Sequence, residues 1–583
     1  MSRVLRDLVE AAAEGRPVYI SAMRERFETL APSTSFRLMA RLDDFDGGCR
    51  EFRFRLPRFG LLDPDERAMV TEYVLASLYN LLSTLGGRGL ALETDDGDDG
   101  EGPELAAAFE RAFGIGEPRT SRPGYGRAVN VSERMDEAIS PDGTPSRGTF
   151  RVITERPATK RAMTRLESNR PPGIAEMCGL ATTGLAGTSL CGMDIGGTDI
   201  KACLVVDGHV ARFVEYDWYP AGFTSVEQIL DPILMLVRLI RLDGARMSGP
   251  DDMANLDQAL APAFERGASD ATIERAVSAG EALVSRPFRL DAIGLCFPDV
   301  VVRDKIVGGE VYKTRGVRTH LGDAYEAAFH RLSDLDTALG PLVDPAGIVA
   351  IINDGPMAAF TAAVELGAVD PSAIERGVFA HTLGTELGSG WVTEQGTIPD
   401  LPLEIYNCII DLGSHPERRF PPDDVRSVDN FNTGLAGTLQ KYASQSGVFR
   451  LAAKYLPELD ADLFAEILGH GLLVVSSDGI FVPTAPLDMR KPLLEFLMAT
   501  TEAGRHPAVH GDPEHIVPFH KLSQWLTYSL IEPFADAGFA VIGLDELTAL
   551  PEYRNGGLVI DLGVIRPRHK PDPDEPHEVT SEL

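Results

Sequence analysis

Three groups of residues in this chain have the types and spacing for chemistry on a phosphate and a hydroxyl. The first lies in Cys191–Gly208, where an apolar run meets the turn Gly196-Gly197-Thr198 and passes straight into a second apolar run. Two glycines and a threonine there put backbone N–H groups and a hydroxyl in one small space that no side chain blocks, which suits a phosphate. Asp194, just before the turn, could hold a hydrated magnesium ion. The second is Asn353-Asp354, at the end of the apolar run Ala350-Ile-Ile. A carboxylate beside an acceptor hydroxyl can orient it and take its proton. Asp354 would equally suit the N-cap of a helix starting near Pro356. Asn353 could bond acceptor hydroxyls or serve as a turn residue. The third is Gly384-Thr385-Glu-Leu-Gly388, a second glycine turn between apolar runs over residues 377–392.

The elements that must position these groups follow from the hydrophobic pattern. Leu190–Ile195, Ile200–Val206 and Val210–Trp218 read as successive strands, with a hairpin at Asp207-Gly208. Residues 225–241 place Val226, Ile229, Ile233, Val237 and Ile240 on one helical face. Residues 244–258 read as a loop and 259–284 as a second helix. The stretch Gly294-Leu-Cys-Phe-Pro298 closes a buried strand. Asn353 and Asp354 end another, followed by a helix over 357–367. Polar residues at such strand ends are where open α/β sheets place ligands. Residues 434–540 read as rich in helix. The tail from Arg566 is proline-rich and charged, the composition of a disordered segment.

Before residue 188 the pattern is different. Leu5–Ala12 and 61–86 read as helices, the latter with Asp63 as N-cap and Pro64 in the first turn. Arg50–Leu56 alternates as a strand does. The acidic segment 93–103 reads as a solvated loop and 115–175 as irregular linker. Residues 1–60 carry eleven arginines against nine acidic residues. A helix-turn-helix around 31–42 is therefore one reading, and an accessory helical domain is the other.

At 583 residues the chain is too long for one ordinary core. Its formal charge of −32 argues against a broad nucleic-acid-binding surface. No run of 18 apolar residues predicts a membrane span. The start, Met1-Ser-Arg-Val-Leu-Arg-Asp, lacks the apolar core of a secretory signal. The six cysteines are scattered with no C-x-x-C pair, the pattern of reduced thiols in a cytoplasmic protein.

The order Asp194-Ile-Gly-Gly-Thr198, Gly294–Pro298, Asn353-Asp354, Gly384–Gly388 resembles the sugar-kinase branch of the actin/hexokinase superfamily, and within it the ROK family. Gly434-Leu-Ala-Gly-Thr-Leu-Gln-Lys-Tyr-Ala-Ser also resembles a segment of that family. The resemblance implies a two-lobed α/β fold with a duplicated, ribonuclease H-like architecture, here with an extra, mostly helical N-terminal region. It implies that Gly196, Gly197 and Thr198 in one lobe, and Gly384, Thr385 and Gly388 in the other, grip the phosphates of ATP. It implies Asp354 as the base, Asn353 as a sugar contact and Asp194 as the magnesium residue. The segment Leu401–Asp411 is similar to the family's Glu-x-Gly-His stretch, with Glu404 in place and Asn407 at the His position. The family's zinc-binding cysteines are absent, so no structural zinc is expected. Where the family has a sugar loop this chain has Val311-Tyr-Lys-Thr-Arg-Gly-Val. Lys313 and Arg315 there could face an anionic substrate group, or be surface charges.

The expected organisation is an accessory region over 1–175, one lobe over 188–352, a second over 353–565 and a tail over 566–583. The expected activity is ATP- and magnesium-dependent phosphorylation of a sugar or sugar-like hydroxyl. The alternative is a non-catalytic sugar- or nucleotide-sensing regulator of the same fold, a transcriptional regulator being one form of it, with a homodimer compatible with either.

Overall fold

A computed structural model describes residues 5–483 apart from 96–100, 115, 141–151, 154–172, 198, 249–253, 266, 286–287, 309–311, 384–386, 415–419, 421–429, 431, 444–456, 459–460, 472 and 476–480. Thr198, Gly384, Thr385 and the tail therefore lie outside the described residues. The chain divides into two units, Met1–Gly447 and Val448–Leu583. The first contains every described residue of the expected site, and the boundaries expected near 175–188 and 352 fall inside it. In the second, the described elements are a helix, Ala461–Gly469, and a short hairpin of Leu473–Val475 with Phe481–Pro483.

The N-terminal part is a mixed α/β layer. Helices α1 (Arg6–Ala13) and α2 (Ile20–Glu28) precede strands β1 (Ser35–Asp43) and β2 (Cys49–Pro57), then α3 (Pro64–Leu85) and β3 (Gly89–Thr94). Helices α4 (Gly102–Phe113) and α5 (Gly126–Ile139) and the short strand β4 (Val152–Ile153) complete it. The sheet order is β2-β1-β3-β4. Helix outweighs strand in the region, and a four-stranded sheet stands beside the helices. The helix-turn-helix reading of 31–42 fails because that stretch alternates with period two. Phe36, Leu38, Ala40 and Leu42 are buried, and β1 pairs with β2 over its whole length. The linker expected over 115–175 is also corrected, since 126–139 forms α5. Its buried face carries Asn130, Ser132, Arg134 and Asp136 beside Val129 and Met135. Those polar residues hide the helical period from a hydrophobicity reading. Helix α3 starts as expected, with Asp63 and Glu66 completing a capping box.

Helix α6 (Ile174–Thr183) leads to a five-stranded mixed sheet. Strands β5 (Ser189–Ile195), β6 (Asp199–Val206) and β7 (His209–Asp217) form an antiparallel meander. After α7 (Glu227–Ser248), α8 (Ala254–Leu260) and α9 (Asp270–Leu283), strand β8 (Ala292–Phe297) returns parallel to β5. The loop expected over 244–258 is mostly helix, because α7 continues one turn beyond its apolar stripe. The small hairpin β9 (Val301–Val302) with β10 (Lys305–Ile306) follows, then α10 (Arg315–Leu321), α11 (Tyr325–Ser333) and α12 (Leu335–Leu339). Strand β11 (Ile348–Asn353) adds parallel to β8 and gives the order β11-β8-β5-β6-β7. Helix α13 (Asp354–Val369) then packs on the hairpin of β12 (Val378–Leu383) and β13 (Leu387–Val392). Leu439–Ala443 forms the short helix α14.

Four apolar cores form among the described residues. One fills the five-stranded sheet and α7–α12. A second joins α6, α13 and β12–β13. A third belongs to the N-terminal layer but includes Ile409 and Leu412. A fourth packs Met135 and Ile139 of α5 against Val300, Val302 and Val307. The N-terminal layer is therefore built into the same unit as the sheet. Buried ion pairs strengthen this junction: Arg134 bonds Glu326 of α11 at 3.0 Å and donates to the Gly308 carbonyl at 2.6 Å. Among the described residues no helix is long and apolar enough to cross a membrane.

Candidate functional site

The C-terminal ends of three adjacent parallel strands create the site. The register sets Asp194 of β5 beside Cys296 of β8, and Cys296 beside Ile352 of β11. Residues paired across a parallel ladder share a face, so Asp194 and Cys296 project to the same side. Asp354 lies two positions beyond Ile352, at the first turn of α13. Asp194 is exposed, whereas Cys296 and Asp354 are half-buried. Burial pushes the Cys296 thiol up to about 12, with the carboxylates of Asp194 and Asp354 adding to the rise. The thiol is thus protonated and is a poor nucleophile. Sequence reading assigned Cys296 no role.

Burial also raises the Asp354 carboxyl above the usual range. The Lys313 ammonium opposes this and the Asp194 carboxylate reinforces it. Lys313 is only 6% exposed, so the surface-charge reading does not apply to it. Arg315, two residues on, is exposed at the start of α10. The site therefore contains one buried cation and two carboxylates.

Asn353, not Asp354, is the N-cap of α13. Its Oδ1 accepts from the Gly355 amide at 2.8 Å, and its Nδ2 donates to the Asp299 carbonyl at 2.6 Å. Both ends of the amide are engaged, and Asn353 acts to fix the backbone on which Asp354 sits. The next residue, Gly355, meets β13 backbone to backbone. A Cβ there would lie 2.2 Å from the Ser389 carbonyl oxygen, and one on Gly390 would lie 2.0 Å from that of Gly355. This crossing holds Asp354 beside the hairpin that carries Gly388. On the same hairpin, Ser389 Oγ and His381 Nδ1 share a hydrogen bond of 2.8 Å. Burial lowers that imidazole to about 4, so it is neutral near neutral pH.

The turn after β5 is equally constrained. A Cβ on Gly196 would lie 2.6 Å from the Asp199 carbonyl oxygen. The Gly196 carbonyl accepts a hydrogen bond from the Trp218 indole at 3.1 Å. Trp218, which sequence reading placed only at the end of a strand, thus fixes the turn from behind. Asp194 is one exposed carboxylate at the end of β5. Among the described residues no cluster of three or more His, Cys, Asp or Glu side chains could hold a metal directly.

Glu404 and Asn407 lie elsewhere. They are 8% and 7% exposed and bond each other, with Asn407 Nδ2 donating to Glu404 Oε2 at 2.9 Å. Asn430 Nδ2 donates in turn to Asn407 Oδ1 at 2.9 Å. Both line a small cavity of about 30 Å3 with Tyr79, Leu82, Arg127 and Asp299. Asp299 is the link to the main site, through Asn353.

The comparisons with known proteins reach different parts of the chain. The family described as "Protein of unknown function (DUF1688)" matches residues 498–581, outside the described residues. The chain is 61% identical over 51 residues to "Protein urg3" of Schizosaccharomyces pombe, which covers 9% of this chain and 13% of that protein. It is 54% identical over 54 residues to "Uracil catabolism protein 4" of Lachancea kluyveri, covering 9% and 12%. The chain thus spans about an eighth of the length of these curated relatives. Among solved structures it is similar to a ROK hexokinase from Thermus thermophilus, at 16% identity and a TM-score of 0.23, over 49% of this chain and 70% of that one. It is also similar to a glucokinase from Parabacteroides distasonis, at 14% identity and a TM-score of 0.25, over 48% and 59%. The match to sugar kinases is coarse, and scores this low do not fix the fold.

Proposed function

We propose that this chain is an ATP-dependent phosphotransferase whose acceptor is a hydroxyl of a sugar or sugar-like compound. The observation that supports the reading best is the placement of Asp354 and Asp194 at the C-terminal ends of β11 and β5, on either side of β8, beside a glycine turn. In the reaction, the acceptor oxygen forms a bond to the γ-phosphorus of ATP. The bond from that phosphorus to its bridging oxygen breaks, and its electron pair leaves with ADP. Asp354 takes the acceptor proton as the new bond forms. Magnesium, held through water at Asp194, would neutralise charge on the phosphates. Amides of the Gly196-Gly197 turn, and of a second turn near Gly388, would bind phosphate oxygens. Lys313 keeps Asp354 ionised at a lower pH than burial alone would allow. Phosphoryl transfer depends on such positioning more than on covalent help, so the rigid turn and the locked helix start are what this reading requires.

The test is magnesium–ATP binding followed by thermal unfolding, since a ligand that binds the folded state raises its apparent stability. Wild type should gain stability with magnesium–ATP and Asp194→Asn should lose most of that gain. An equal gain in both proteins would remove Asp194 from the nucleotide site.

The pH dependence gives a second prediction. Turnover requires ionised Asp354, so kcat/KM should rise along an acid limb set by that carboxyl. Lys313→Met removes the opposing cation and should move the limb to higher pH. Asp194→Asn removes the reinforcing carboxylate and should move it lower. A limb that stays in place, or moves the other way, in Lys313→Met would show that another group controls the rate.

One observation favours the second reading, a ligand-sensing regulator that does not transfer phosphate. Side-chain hydrogen-bonding groups of Glu404 and Asn407 are already engaged within the protein. Saturable magnesium–ATP binding with no transfer to any hydroxyl compound would select it.

A further inference from the structure

We infer that Arg134 of α5 is a positioning residue for Asp354, so that the N-terminal layer is part of the reacting site and not an accessory to it. The inference rests on the phosphotransferase reading. Arg134 is only 5% exposed, and every nitrogen of its guanidinium is engaged. Nε and Nη2 donate to the two carboxylate oxygens of Glu326 on α11, at 3.2 and 3.0 Å. Nη1 donates to the Gly308 carbonyl at 2.6 Å. The guanidinium carbon lies 5.0 Å from the centre of the Phe329 ring. A planar fork held along one edge by a carboxylate and stacked on a ring aims its remaining N–H groups in a fixed direction, which a lysine ammonium does not.

That direction fixes the loop against which α13 starts. Gly308 lies directly on Asp299, since a Cβ on Gly308 would be 1.4 Å from Asp299 Oδ1. The amides of Val307 and Gly308 both donate to the Val300 carbonyl, at 2.8 and 3.2 Å. Asp299 presents its own carbonyl to Asn353 Nδ2 at 2.6 Å. Asn353 Oδ1 then shares the Gly355 amide with the Asp354 carboxylate, at 2.8 and 2.9 Å. Each step from Arg134 to that carboxylate is a hydrogen bond or a backbone contact. Met135 and Ile139 of α5 pack on Val300, Val302 and Val307, so helix and loop move as one. The crossing of Gly355 with Ser389 holds α13 from the hairpin side, and this route holds it from the other. Losing Arg134 takes the charged donor from the buried Gly308 carbonyl and frees the loop from α11. A misplacement of roughly 1 Å at a reacting group can cost about 10²-fold in rate.

The experiment sets Arg134→Met against Arg88→Met in the full chain. Arg88 pairs with Asp136 of the same helix at 2.7 Å, so both changes loosen α5, but only the first breaks the route to Asp354. Transfer from magnesium–ATP to glucose is measured together with hydrogen–deuterium exchange over residues 351–357. Arg134→Met should lower kcat by about 10–10²-fold with KM for magnesium–ATP unchanged. Exchange of the Gly355 amide should speed up by about tenfold, the scale of one lost buried hydrogen bond. Arg88→Met should leave both near wild type. In an Asn353→Ala background, where the route is already cut, Arg134→Met should lower kcat little further. Equal losses in the two arginine variants, or Gly355 exchange unchanged in Arg134→Met, would overturn the inference. If Arg134→Met does not fold, Arg134→Lys keeps the charge, loses the fork and carries the same expectations. Absence of transfer by wild type would count against the phosphotransferase reading, and the exchange comparison would still decide whether Arg134 positions Asp354.

Discussion

Asp354→Asn is expected to lower phosphoryl transfer by about 10²–10⁴-fold while magnesium–ATP still binds. The carboxyl sits at the reacting end of the site, and the amide keeps its shape but cannot accept the proton. The same change should not weaken the fold. The Asp354 carboxyl is raised by burial, opposed by Lys313 and reinforced by Asp194. A carboxyl with a higher pKa folded than unfolded binds more protons in the folded state within that window. Stability then falls as pH rises through it. The Asn variant lacks this loss, so at neutral pH it should melt no lower than wild type, and the gap should close on acidification. Transfer assays and melting curves at acid and neutral pH check both halves. Full turnover in the variant would remove Asp354 as the base, and a melting point well below wild type at neutral pH would contradict its electrostatic setting.

Gly355→Ala should have a large effect on the fold near the site. The added methyl would meet the backbone oxygen of Ser389 at 2.2 Å, and no side chain can rotate away to relieve it. Overpacking of this kind costs about 1–3 kcal/mol, and backbone must move to relieve it. The movement would separate α13 from β13, and with it Asp354 from the hairpin bearing Gly388. The expected result is a lower denaturant midpoint together with a loss of transfer larger than the fraction unfolded explains. A variant with wild-type midpoint and turnover would show that the crossing is looser than this contact implies.

Much of the framework around the site was legible because each element has one dominant period. The meander β5–β7, strands β8 and β11 and the hairpin β12–β13 appear within a residue or two of where apolar runs and Asp-Gly or Gly-Gly turns placed them. The positions of Asp194 and Asp354 at strand ends followed from the apolar runs alone. What sequence could not supply was partnership. Asn353 looked like a sugar contact because its amide is polar, yet that amide bridges a helix start and a loop. Lys313 looked like surface charge because nothing local buries it; the elements that do are distant in sequence. Helix α5 was missed because Arg134 and Asp136 are buried in ion pairs, to Glu326 and Arg88, and so mimic solvent-facing residues. Glu404 and Asn407 satisfy each other, an arrangement no spacing rule distinguishes from two groups awaiting a ligand.

The attachment of residues 18–20 to 410–412 sets a schedule for synthesis on the ribosome. The Val18 amide donates to Asp411 Oδ1 at 2.7 Å, the Ile20 amide to the Ile410 carbonyl, and the Leu412 amide to the Val18 carbonyl. Ile409 and Leu412 fill the core beneath α1–α3. The first hundred or so residues to emerge therefore cannot finish their own core until the chain has grown past residue 412. At about 5–20 residues per second, that leaves a partly exposed apolar layer for tens of seconds. Closure across so long a loop also belongs to slow-folding topologies. The N-terminal layer, made before the rest of its unit, is among the last parts of that unit to be completed.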